Sequence, residues 1–118
     1  VPRETDTYLL TAKCQFVSTI TDTAGWEAIS GGKNVLVFGD AWYKSLPGVF
    51  CYDEKMDIDE VLNCKINHTE LEKAFSDLRN RMPYGVVSQD YQRIVEGYDN
   101  QENSKQVAVF INDFFNKI

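Results

Sequence analysis

The sequence predicts an α/β fold: a Rossmann-like, three-layer α/β/α arrangement around a small, mainly parallel sheet. Three observations predict it. Residues Gln15 to Ile20 favour a strand and lead through a polar turn into a helix that opens among small residues. Asn34-Val35-Leu36-Val37-Phe38 is a nearly unbroken apolar run, the pattern of a strand covered on both faces. Strand, helix and strand within roughly 25 residues make a compact right-handed crossover.

The elements follow in order. Thr5-Asp6-Thr7 opens a helix over Tyr8 to Ala12, with Thr or Asp as N-cap. The first strand follows, and Thr23 to Ser30 is the crossover helix. Gly31-Gly32 ends that helix, because glycine supplies the positive φ of a C-cap. After the apolar strand, Gly39 to Pro47 is a loop, and Gly48 to Tyr52 is compatible with a further short strand. Asp57 to Leu62 forms one or two helical turns. His68 to Met82 is the clearest amphipathic helix: Leu71, Ala74, Phe75 and Leu78 form one stripe, and Pro83 and Gly85 mark its end. Asn67 or Thr69 caps it, which accounts for the glycosylation-like Asn67-His68-Thr69. Val86 to Asp99 reads as a loop with a short helix at Tyr91–Val95. A last helix runs from Asn100–Asn103 to about Ile118, with Val107, Phe110, Ile111, Phe114 and Phe115 as a core or interlobe stripe.

The length of 118 residues suits one domain, 1–118, and 43% apolar residues can build a core. The abrupt, polar start at Val1-Pro2 without Met predicts an excised fragment or a processed product, with no signal peptide. No apolar run is long enough for a transmembrane segment. A net charge of -6 argues against a nucleic-acid surface and for a cytoplasmic setting, free or peripheral to the inner face of a membrane. Cys14, Cys51 and Cys64 are odd in number and lack CxxC spacing, so neither a disulfide framework nor a zinc site is expected, and Cys14 and Cys51 read as small core residues. No metal site is expected at all.

The chemistry concentrates in two places. The turn Thr21–Gly25 stands between strand and helix, where unpaired N–H groups and the helix dipole favour an anion. The loop Gly39–Pro47 leaves the next strand at its carboxyl end, where open α/β sheets bind ligands. Both therefore belong to one sheet edge. Lys33 and Lys44 read as solvated lysines rather than phosphate ligands.

The blocks Thr21-Asp22-Thr23-Ala24-Gly25-Trp26-Glu27-Ala28 and Gly32-Lys33-Asn34 through Gly39-Asp40-Ala41-Trp42-Tyr43, then Leu46-Pro47-Gly48-Val49, carry a resemblance. They look like the C-terminal lobe of GT-B glycosyltransferases and are most similar to bacterial capsule and surface polysaccharide biosynthesis proteins. The resemblance spans about Thr5 to Cys51 and continues weakly through Tyr98–Asn103. It implies the donor-binding lobe, or most of one, of a larger protein. Its substrates would be a nucleotide-sugar donor (an NDP- or CMP-sugar) and a saccharide acceptor. Its partner would be an upstream N-terminal lobe, and no cofactor would be bound covalently. By that resemblance Thr21, Thr23, Ala24 and Gly25 hold the donor phosphate, and Glu27 binds ribose or orients the loop. Asp40, Trp42 and Tyr43 border the cleft. Asp22 departs from the pattern, which expects glycine. The catalytic carboxylate and His-Pro element would lie upstream, so no catalytic residue is assigned. His68 is not placed as a base, and this chain alone is expected to be inactive. The other reading is a small acidic binding module of inhibitor or immunity type, which the net charge permits.

Overall fold

A computed structural model describes residues 4–82, 85 and 95–117. They divide into two compact units, Val1–Asp77 and Leu78–Ile118. In the first, α1 (Thr7–Lys13), β1 (Val17–Thr19), α2 (Thr23–Ser30), β2 (Val35–Val37), β3 (Val49–Cys51) and α3 (Ile58–Asn63) follow one another. Helix α4 (His68–Arg81) crosses the boundary, and α5 (Asn100–Asn116) lies in the second unit.

The predicted α/β class is observed. The sheet is three-stranded, wholly parallel and in chain order, with Val17, Val35 and Val49 in one register row and Thr19, Val37 and Cys51 in another. All of β2 is buried, as a central parallel strand must be. Helix α2 packs on β1 and β2. Its buried face of Gly25, Ala28 and Ile29 joins Val35, Val37, Ala41, Tyr43 and Leu46 in the core.

Local chemistry fixes the helix ends. Asp6 caps α1 through Tyr8 N–H at 2.9 Å, and Asn67 caps α4 through Thr69 and Glu70 N–H. Helix α2 closes in a Schellman motif: Lys33 N–H donates to Ala28 C=O, and Gly32 N–H donates to Ile29 C=O. The left-handed residue is Gly32, at φ 75°, rather than the cap Gly31. Lys33 then donates from Nζ to the carbonyls of Ala12 and Cys14, binding the end of α1 to the crossover. At the start of β2 the buried Asn34 donates from Nδ2 to Val61 and Cys64 carbonyls at 2.7 and 2.8 Å, which fastens α3 to the sheet.

Several expectations change. The apolar run is buried only through Val37; Phe38 lies past the strand end and is exposed beside Tyr52, with ring centroids 4.8 Å apart. Cys51, at the end of the outer strand β3, is exposed rather than core. The α4 stripe is as expected: Leu71 is buried and Ala74, Phe75 and Leu78 are half-buried. On α5 the stripe is not a core: Val107 is half-buried, but Phe110, Ile111, Phe114 and Phe115 are exposed. The short helix expected at Tyr91–Val95 falls almost wholly outside the described residues. No helix among those described is long and apolar enough to cross a membrane.

Candidate functional site

The carboxyl edge of the sheet brings the two candidate segments together. Past the strand ends, Phe38 N–H donates to Thr19 C=O and Gly39 N–H to Ile20 C=O, so the Thr21–Gly25 turn starts beside the Gly39–Pro47 loop. That loop is the connection from β2 to β3 and contains no helix. It is held by its own turns, Lys44 N–H to Ala41 C=O and Leu46 N–H to Tyr43 C=O. Ala41, Tyr43 and Leu46 point inward and are buried.

Tyr43 is the join between the segments. It is 1% exposed, and its hydroxyl donates to the backbone carbonyl of Asp22 at 2.7 Å. Burial first, and the Asp22 charge second, push its phenol above the ordinary tyrosine pKa. Gly25 is what admits the ring: a Cβ there would stand 2.9 Å from both Tyr43 Cζ and Thr19 Cγ2 and closer still to the hydroxyl.

The helix N-terminus differs from the expected open cradle. Asp22 is the N-cap, and its Oδ1 accepts from Thr23 N–H at 2.6 Å and from Thr23 Oγ1 at 3.2 Å. Gly25 N–H donates to Asp22 C=O. The donors expected to be free on Thr23 and Gly25 are therefore engaged within the turn. The Asp22 carboxylate itself occupies the position where the helix dipole would favour an anion. Thr21, Thr23 and Glu27 are exposed, Ala24 is half-buried, and Gly25 is buried against Tyr43.

Of the loop residues, Asp40 and Lys44 are exposed and paired with each other. The Asp40 hydrogen bond and charge raise the Lys44 pKa. Trp42 is 52% exposed although both its neighbours are buried. Its ring lies 4.7 Å from Trp26, tilted by 38°, with Tyr43 edge-on at 5.4 Å; Phe75 of α4 meets Trp26 edge-on at 5.5 Å. Sequence reasoning placed Trp42 and Tyr43 together, yet one faces solvent and the other the core. It missed Trp26 as the support of Trp42. The available signal was two tryptophans on segments that must share one sheet edge. Among the described residues, no three His, Cys, Asp or Glu side chains gather as a metal site.

Comparison with known proteins gives one family. A family model described as capsule polysaccharide biosynthesis protein matches residues 2–77. This match contains the sheet, both edge segments and most of α4. No curated protein and no solved structure matches the chain.

Proposed function

We propose that this chain, which belongs to the capsule polysaccharide biosynthesis protein family, is the donor-binding portion of a GT-B type glycosyltransferase that builds surface polysaccharide in the cytoplasm. The observation that carries this reading is the clasped carboxyl edge. A strand–turn–helix and a loop with exposed polar and aromatic side chains are locked together by Tyr43 where parallel sheets take their ligands.

On this reading the donor's charged end lies against the exposed Thr21 and Thr23, and Glu27 reaches the ribose or orients the turn. Gly25 contributes through its close packing with Tyr43, not by an open N–H. The acceptor hydroxyl would attack the anomeric carbon as the bond to the leaving phosphate breaks. The Thr21 hydroxyl, which Asp22 does not engage, would donate to the charge developing there. The base that takes the acceptor proton, and the other half of the cleft, belong to an N-terminal lobe of the same protein.

The test is an amide-shift titration of the ¹⁵N-labelled chain with UDP, GDP and CMP. A saturable movement of Thr21–Glu27 with one of them is the expected result. Silence of this segment toward all three at millimolar concentration removes the donor-site proposal.

A further inference from the structure

We infer that Trp42, backed by Trp26, is a stacking platform for an uncharged pyranose ring. This rests on the saccharide-transfer reading of the same edge and assigns one subsite within it.

The fixed geometry comes first. Ala41 and Tyr43 are buried on either side of Trp42, and Tyr43 is bonded to the α2 turn, so the backbone that carries the indole is anchored at both neighbours. The indole is gripped on one side by Trp26 and at its edge by Tyr43, while Trp26 is itself braced by Phe75. Four rings thus end in one that leaves half its surface in water. A large apolar side chain held out in this way, rather than folded into the core beside it, presents a ready flat surface with few rotamers to lose on binding.

The chemistry of the occupant follows from the surroundings. The C–H face of a pyranose is flat and apolar and matches an indole, while its rim needs hydrogen-bond partners. Asp40 and Lys44, two residues before and two after Trp42, are exposed and paired with each other, and the groups left outside that bond, Asp40 Oδ2 and the remaining Lys44 N–H, offer an acceptor and donors. A free anion is disfavoured at this spot: Lys44 is already paired with Asp40, the Asp22 carboxylate stands on the adjoining turn, and the chain carries a net charge of -6. The ring can belong to the acceptor saccharide or to the sugar of the donor.

The chain has two tryptophans, so a ¹⁵N spectrum holds two indole N–H signals, assigned by Trp26→Phe. The probes are maltotetraose, cellotetraose and chitotetraose for the acceptor source, and UDP-glucose against UDP for the donor source. The expected result is a saturable shift of the Trp42 indole with a tetrasaccharide, or with UDP-glucose but not UDP. Trp42→Leu should weaken that binding at least about tenfold. Reading the Trp42 signal in the unaltered chain keeps the result independent of how well the variant folds. A silent Trp42 indole toward every saccharide and UDP-glucose overturns the platform, as does unchanged affinity in a folded Trp42→Leu. If UDP moves Thr21–Glu27 while Trp42 stays silent, the platform fails and the donor-site reading stands. If a tetrasaccharide moves Trp42 while no nucleotide moves the turn, the donor-site reading fails alone.

Discussion

Glycine to alanine inside a helix ordinarily stabilises, by about 1 kcal/mol. At Gly25 in α2 we predict the opposite. The added Cβ would meet the buried Tyr43 at Cζ and the half-buried Thr19 at Cγ2, both at 2.9 Å, and would press on a hydroxyl already bonded to Asp22. Overpacking of this kind costs about 1–3 kcal/mol. Displacing the hydroxyl weakens a hydrogen bond worth about 1 kcal/mol. After the helix-propensity gain, Gly25→Ala should destabilise by about 1–3 kcal/mol. Tyr43→Phe alone should cost about 1 kcal/mol, since the Asp22 carbonyl loses the hydroxyl and keeps only the Gly25 N–H. The sharper test is the pair. With the hydroxyl gone the ring is no longer pinned and can yield, so Gly25→Ala should cost at least about 1 kcal/mol less in the Tyr43→Phe background. Urea unfolding followed by tryptophan emission measures this, because Trp26 and Trp42 both lie in the first unit, against the altered contact. A neutral or stabilising Gly25→Ala, or energies that add within about 0.3 kcal/mol, would refute the close packing of Tyr43 on α2.

Other outcomes follow from neighbouring contacts. Asp22→Asn keeps a good N-cap but removes the carboxylate charge, so stability should change by under about 1 kcal/mol while UDP, GDP or CMP affinity rises several-fold by titration. Asn34→Ala should destabilise by about 2–3 kcal/mol in urea, because two carbonyls lose their donor at the base of β2. The raised Tyr43 pKa means that the folded chain holds this proton more tightly than the unfolded chain. Its contribution is fully present below pH about 10 and is lost as pH rises through the folded value, so urea midpoints between pH 9 and 11 should fall more steeply than in Tyr43→Phe. Gly32→Ala should cost about 1 kcal/mol by thermal unfolding, through strain at φ 75° alone, since its Cβ would meet only the ring edge of His68 at 3.4 Å.

Much of the first unit could be read from residue patterns because its signals are local. Val35-Leu36-Val37 announces a strand buried on both faces, Asp6 and Asn67 announce caps, and Gly31-Gly32 announces a helix stop. The shared sheet edge was also legible, since it follows from strand direction alone. What escaped was set by register and tertiary closure. By sequence Asp22 is a departure from the glycine that the resemblance expects, whereas its carboxylate is the helix cap. Trp42 and Tyr43 differ by one position in the loop, and only the packing against α2 decides which of them turns inward. Phe38 continues the apolar run of β2, and hydropathy does not mark where that strand ends. On α5 the apolar stripe was legible, but whether anything covers it was not.

The helix-free path from β2 to β3 has a consequence for how this edge can change over time. In most parallel sheets a helix covers the strands and the preceding loop is left to vary. Here Ala41, Tyr43 and Leu46 make the loop itself part of the interior. Insertions that would reshape a ligand cleft would at the same time tear the core, so length variation should be rare between Gly39 and Pro47. On the saccharide reading proposed above, divergence in what the edge takes is then channelled into the outward positions, Asp40, Trp42, Lys44 and Ser45. On the same reading, a loop already packed into the core needs no folding step on contact, so encounter should be limited by diffusion and orientation rather than by closure.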